Sequence, residues 1–446
     1  MKFKCIASLL AVILQPAYAL NTKDSDLIYK NGFELIINPQ ELRRAGINDL
    51  LSRYVGAFRT NVGSYIKGTI AYNPDGNSLF ITASELTFSI GEYSIPIPSM
   101  STDYNALPIS STIQEPAPML ARIPESSWSD LPLENSMMSL YYHNNQLLVN
   151  GALYYDAQTN NIDTTFKVAD ASDLANSSLV GNFTVTGLQH TTGWTSEIPE
   201  DWQPFLQKSH LLGGGFGLPI VGRLSFGPSL FTVNLNDLIG ANTNSVVPTL
   251  NWMDFPQETP MGTTDFLNYG GATGGINNDL YTIMSVPSFG FIVPDSRTYM
   301  VIGGSSGHTP RTPGTTPYVG EVNDFANPNG TIFYKDTIEP IEPRQDTAGT
   351  IAEGYLAYDA TDKGPYFWLF DLNEIISAKN PSDVLPYDKG YFPEPFPVQP
   401  GASRSFNVPL SGSWDPVSQR LFLSWPQVQP TVDGYNQSPV ITVYQF

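Results

Sequence analysis

The sequence predicts an all-β protein, a β-propeller of about six blades, with five or seven also compatible. Three observations carry that reading. A hairpin recurs without gaps: Tyr72-Asn73-Pro74-Asp75-Gly76-Asn77-Ser78-Leu79-Phe80-Ile81 matches Trp414-Asp415-Pro416-Val417-Ser418-Gln419-Arg420-Leu421-Phe422-Leu423 position by position. A second repeat, Leu235-Asn236-Asp237-Leu238-Ile239 and Leu372-Asn373-Glu374-Ile375-Ile376, recurs at an offset of 137 residues. The composition suits short strands joined by turns: Gly and Pro number 37 each, aromatics reach 12% and charged residues only 14%.

Each hairpin copy is an aromatic-ended strand, a Pro-containing turn and an apolar strand. Pro fixes φ in the turn, and the neighbouring Asp, Asn and Ser can bond its backbone. Ile292 to Val301 keeps the same Pro-to-strand distance, Tyr142 to Val149 has a shorter turn, and Tyr358 to Phe370 a longer one. Taking the apolar strands as markers, units fall near Leu79, Leu147, Leu230, Tyr299, Tyr366 and Leu421, spaced 68, 83, 69, 67 and 55 residues apart. Such intervals fit one four-stranded sheet plus loops per unit. In the second repeat, Asn234 and Asp371 stand at N-cap positions, Asp371 with Glu374 has the form of a capping box, and Pro381 is expected to end the helix.

The chain opens with Lys2 and Lys4, an apolar run from Ile6 to Leu14, and Ala17-Tyr18-Ala19. That is the pattern of a secretory signal peptide over 1–19, cleaved before Leu20. The expected location is therefore periplasmic or extracellular. Cys5 is the only cysteine, so the mature chain would hold no disulfide and no thiol ligand. Residues 20–60 read as a lead-in, with a strand from Phe33 to Ile37 and a short helix opened by Pro39. Residues 61–446 read as the propeller, closed by the strand Val440-Ile441-Thr442-Val443-Tyr444, so that the first and last strands share a blade. Two stretches, 94–135 and 303–350, read as long loops over one face.

The formal net charge of −20, or −22 after removal of two lysines, disfavours nucleic acid as a partner, because no basic run offers a phosphate-binding surface. No stretch of about 20 apolar residues exists in the mature chain to span a membrane as a helix. The Asp-Pro turns, together with the terminal Ser438-Pro439-Val440-Ile441-Thr442-Val443-Tyr444, resemble a group of secreted bacterial proteins of uncharacterised function with propeller-like repeats. That resemblance implies the fold and no reaction.

Four histidines exist: His143, His190, His210 and His308. None has a partner at metal-ligand spacing. His190 and His210 flank the aromatic segment of Trp194, Trp202 and Phe205, and His210 precedes Gly213-Gly214-Gly215-Phe216-Gly217. Arg223, among glycines, carries a donor fork suited to a carboxylate or sulfate. Asp156, Asn160, Asn161 and Asp163 cluster hard oxygens but lack the EF-hand pattern and also read as a turn between two strands, so no cofactor is expected, with calcium the one alternative.

The tentative ligand site comprises His210, Arg223, His308 and Trp194, at one mouth of the ring lined by loops 190–225 and 303–320. The favoured function is a non-catalytic binding or surface-scaffold propeller with a glycan ligand, since exposed aromatics stack on sugar faces. The alternative is a polysaccharide lyase or glycosidase using His and Arg at the same mouth. Oligomeric state is not legible.

Overall fold

A computed structural model describes residues 27–30, 34–62, 68–84, 87–123, 135–153, 162–187, 193–214, 225–256, 259–261, 280–281, 285–305, 319–323, 332–334, 357–360, 364–396, 407–426, 428 and 438–446. The predicted signal peptide lies outside these residues. The protein is all-β, and its sheets are the blades of a five-bladed propeller. Blade one holds Ile70–Asn73, Ser78–Ser84, Ser89–Ser94 and Thr112–Ala117, from the inside outwards. Blade two holds Asn135–His143, Gln146–Leu153, Thr165–Val168 and Leu179–Val185, extended by the parallel strand Val246–Val247. Blade three holds Trp194–Glu197, His210–Gly213, Leu230–Val233 and Leu250–Met253. Blade four holds Val286–Ile292, Thr298–Ser305, Gly364–Asp371 and Asp388–Tyr391.

Blade five is built from both ends of the chain. Ser411–Asp415, Arg420–Trp425 and Val440–Gln445 are followed outwards by Tyr54–Arg59, which pairs antiparallel with the third strand. The expected shared blade is therefore present, and Tyr54–Arg59, placed in the lead-in by sequence, belongs to the ring. The five innermost strands neighbour one another in order and close the circle.

The ring has five blades, one fewer than the count of about six and within the range the sequence allowed. Tyr299 and Tyr366 mark adjacent strands of one sheet, with Tyr299 opposite Phe370 and Gly303 opposite Tyr366. Between those strands the chain leaves the blade over 306–363, where Val319–Asn323 pairs with Ile332–Tyr334 and Ala357–Ala360 in a separate sheet. An insertion of blade length inside a blade has the same spacing as another blade. Ala357–Ala360 and Gly364–Asp371 accordingly take different partners rather than forming one hairpin. Leu230 marks a third strand, not a second.

Two-sided burial explains the apolar runs of the second strands. Leu79 and Ile81 pack towards blade five with Phe422, Ile441 and Val443, while Phe80 between them packs towards blade two with Leu140, Tyr142 and Leu147. Leu147 and Val149 face blade one, and Leu148 faces Leu212 and Phe231 of blade three. A strand sandwiched between two neighbours is apolar on both faces, so the period-two pattern disappears into a continuous run. Each such side chain contributes about 1.5–3 kcal/mol by burial.

The repeated turns close alike. Asn73 Oδ1 accepts from Asp75 N (3.1 Å) and Gly76 N (3.2 Å). Its counterpart Asp415 accepts from Val417 N (3.3 Å), Ser418 N (3.0 Å) and the Ser418 hydroxyl. Both turns end in a left-handed residue, Asn77 at φ 45° and Gln419 at φ 52°.

The helix repeat also holds: Leu235–Gly240 and Leu372–Ser377 each follow the third strand of a blade, burying Leu235 with Leu238 and Leu372 with Ile375. Blades three and four are adjacent, so the offset of 137 is one blade plus the insertion. Asp371 caps its helix by accepting from Asn373 N at 2.9 Å. The expected capping box is replaced, because Glu374 accepts instead from Arg44 Nη2 at 2.6 Å. The helix stops at Ser377, and Pro381 opens a separate 3₁₀ turn.

The lead-in forms the strand Glu34–Ile37, paired with Leu27–Lys30, and then the 3₁₀ turn Pro39–Glu41 capped by Asn38. It docks on blade four. Arg44 Nε and Arg297 Nε both donate to Asp371 Oδ2 (2.6 and 2.9 Å), and the Tyr387 hydroxyl donates to Ala45 O (2.6 Å). The segment after Ser94 crosses to blade five, where Ala57 N donates to Ser99 O (2.8 Å) and Ser99 N returns a bond to Ala57 O (2.9 Å). Among the described residues no helix is long and apolar enough to cross a membrane.

Candidate functional site: the two mouths of the ring

Strand order fixes which residues reach which mouth. In every blade the turn from first to second strand lies at one end, the hairpin face, and in blades one to four the connection from third to fourth strand lies there too. The connections from second to third strand and the crossovers between blades leave from the other end, the crossover face. The longest connections, 254–285 and 306–363, both belong to the crossover face.

His190 stands in the crossover between blades two and three, Arg223 in the connection 214–229, and His308 in 306–363. All three lie outside the described residues, but the strand ends that bound their segments share the crossover face, on neighbouring blades. Among the calcium candidates Asp163 is half-buried, and Asp156, Asn160 and Asn161 lie outside the described residues. No group of three or more His, Cys, Asp and Glu side chains among the described residues is placed to hold a metal ion.

His210 is at the other end. It opens the second strand of blade three on the hairpin face, 5% exposed. Its Nε2 shares a 2.7 Å hydrogen bond with the Tyr141 hydroxyl of blade two, and its Nδ1 shares one of 3.0 Å with Ser209 Oγ. The same Ser209 Oγ accepts from Leu235 N at 3.0 Å and so caps the helix that Asn234 leaves uncapped. Burial, with a smaller contribution from His143, pushes the His210 imidazole down to about 3, so it is neutral at physiological pH. Both ring nitrogens are engaged and the ring meets little solvent. His210 ties blade two, blade three and a helix together; it does not converge with the segments of Arg223 and His308.

Trp194 is on the crossover face but covered, at 1% exposure. Its indole Nε1 donates to the Tyr299 hydroxyl at 3.1 Å, which in turn donates to Ser229 O at 3.0 Å. Two glycines make room for the ring. A Cβ on Gly213 would lie 2.2 Å from Trp194 Cε2, and one on Gly290 would lie 2.7 Å from Nε1. Gly213 therefore serves packing, and Trp194 offers no face to a sugar.

The hairpin mouth is ringed by the last residues of the inner strands: Asn73, His143, Glu197, Ile292 and Asp415. Asn73 and Asp415 are committed to their turns, and the Tyr142 hydroxyl donates to Asp75 Oδ2 at 2.8 Å, joining blade two to the turn of blade one. Glu197 is half-buried, its carboxyl pushed up by burial and then by Asp415 and Glu200. Sequence reasoning passed over Glu197, and the signal that finds it is register: it occupies in blade three the position of Asn73 and Asp415. Compared with models of known protein families and with curated proteins, the chain matches none.

Proposed function

We propose that this protein is an exported, non-catalytic binding or surface-scaffold propeller that holds a glycan at its crossover face. The observation that carries the reading is the asymmetry of the ring. The longest connections, and the segments containing Arg223 and His308, leave from one face. At the opposite mouth Asn73 and Asp415 close turns, and the Tyr142 hydroxyl joins two blades. Ligand sites sit where variable connections are displayed on a rigid scaffold. The enzymatic alternative, a lyase or glycosidase with His and Arg at the mouth, loses His210, a buried interblade strut, and would rest on His308 with Arg223.

The test is incubation with a panel of polysaccharides, following retention on the glycan, unsaturated-product absorbance and reducing ends together. Retention without either product is the expected result, and accumulation of product would replace the binding reading with an enzymatic one. Arg223→Ala and His308→Ala should weaken retention while shifting Tm by no more than a few degrees. N-terminal sequencing of exported material should begin at Leu20.

A further inference from the structure

The seam between blades five and one carries a second feature, on the hairpin face and outward of the ring axis. A half-open cleft of about 340 Å³ lies there. Its apolar wall is made by Val55, Ile95, Pro96, Ile97, Pro98 and Phe422, and its polar end by Asn77, Arg420 and Gln445.

Two observations distinguish it from an ordinary crevice. Ile97 is 89% exposed, yet it does not sit on a loose loop. Prolines on both sides fix their own φ angles, and Ser99 is bonded in both directions to Ala57 of the outermost strand. An aliphatic side chain is thus held rigidly against water, with Val55 (42% exposed) on the same wall.

Arg420 is the second observation. Its Nη1 donates to Asn77 Oδ1 and its Nε to Gln445 Oε1, both at 3.3 Å, and the Tyr72 hydroxyl lies against the same guanidinium. These acceptors are neutral. Arg420 forms no ion pair with a described residue, and Asp415, opposite it across the hairpin, is spent on its own turn. A guanidinium positioned by amides and paired with no carboxylate among the described residues is suited to the fork of one.

We propose that this cleft binds a small monocarboxylate with a compact apolar body, the carboxylate on Arg420 and the body against Ile97 and Val55. The volume, near the lower end of the roughly 300–1,000 Å³ typical of small-molecule sites, favours such an acid over a peptide chain. Aryl-acetic and short branched aliphatic acids have the required shape.

The experiment uses the whole protein with phenylacetate, phenylacetamide and acetate as probes, read by saturation-transfer NMR and titration calorimetry. Phenylacetate should bind. The amide, equal in size but uncharged, should bind about tenfold or more weakly, the loss expected when a charged hydrogen bond is removed. Acetate, lacking the apolar body, should be weaker still. Arg420→Gln should abolish the preference for acid over amide. Ile97→Asp, at a site whose exposure leaves folding untouched, should repel the acid and provides the readout if Arg420→Gln proves unstable. The proposal is overturned if phenylacetate shows no saturation transfer at millimolar concentration. It is equally overturned if amide or acetate binds as well as phenylacetate, or if Ile97→Asp binds it like the wild type.

Discussion

Acidification should cost this protein stability through one imidazole. His210 has a folded-state value of about 3 against an ordinary 6.5, because its ring is buried between Tyr141 and Ser209. Between those two values the unfolded chain binds a proton that the folded chain refuses, so stability is complete above 6.5 and falls as pH drops towards 3. Each unit of difference is worth about 1.4 kcal/mol, so moving from about pH 7.5 to about pH 4.5 should remove about 3 kcal/mol through this residue. Carboxylates titrate over part of the same range, and the measurement is therefore a difference between two proteins. His210→Phe keeps the ring volume, cannot titrate, and leaves the Tyr141 hydroxyl unpaired. Near neutrality it should be less stable than wild type by about 1–3 kcal/mol. Near pH 4.5 that gap should close or reverse. Urea unfolding at both pH values, followed by tryptophan fluorescence, measures the two gaps, and the imidazole proton resonances of His210 should not move above about pH 4. A gap that stays constant with pH, or a His210 resonance titrating near 6.5, would refute the assignment of this ring as a buried neutral strut.

Three further outcomes follow from the same geometry. Gly213→Ala should lower stability by about 2–3 kcal/mol and alter the Trp194 emission, because the new methyl meets the indole at 2.2 Å; an unchanged Tm would mean the ring is not seated there. Asp371→Asn, at a position 1% exposed, strips the acceptor shared by Arg44 and Arg297 and should cost about 3 kcal/mol. Its bonds with Arg44, Asn373 N and Arg297 hold the Asp371 carboxyl below the usual 3.8 against the opposing effect of burial. Its stabilisation is therefore present above 3.8 and lost as pH falls through the folded value, an acid limb the variant should lack. Gln419→Gly should raise stability by about 0.5–1 kcal/mol in thermal unfolding, since glycine accepts φ 52° without the Cβ clash; a lower Tm would show that the glutamine side chain matters to the turn.

The parts of this fold legible in sequence are those set by neighbours along the chain. Asn73 and Asp415 close their own turns, Leu235 with Leu238 and Leu372 with Ile375 make helix faces, and the apolar runs at Leu79, Leu147 and Leu421 mark strands that contact blades on both sides. The blade count was legible only to within one, because residues 306–363 separate two paired strands by about a blade's length. Side-chain destinations were not legible. His210 finds Tyr141 at a separation of 69 residues and Trp194 finds Tyr299 at 105, across interfaces that exist only once the ring is closed. A histidine before a glycine run, or a tryptophan in an aromatic segment, has the same local sequence whether it turns to solvent or to the next blade. Glu197 was invisible for the related reason that its equivalence to Asn73 and Asp415 is one of position in a sheet, with no shared motif around it.

The fifth blade has one more consequence, for truncated chains. Tyr54–Arg59 is made early and waits for Val440–Gln445, the strand it must pair with, across nearly the whole chain. Contacts so distant form late, and until they do the early strand keeps an unpaired edge open to other chains and to proteases. A polypeptide cut before Val440 would keep the strands of four blades but lack the clasp, leaving Phe58 without Ile441 and Tyr54 without the ring of Tyr444. Chain ends more than 380 residues apart therefore share one sheet, and losing the last strand uncovers an edge on each of its two neighbours, Tyr54–Arg59 and Arg420–Trp425.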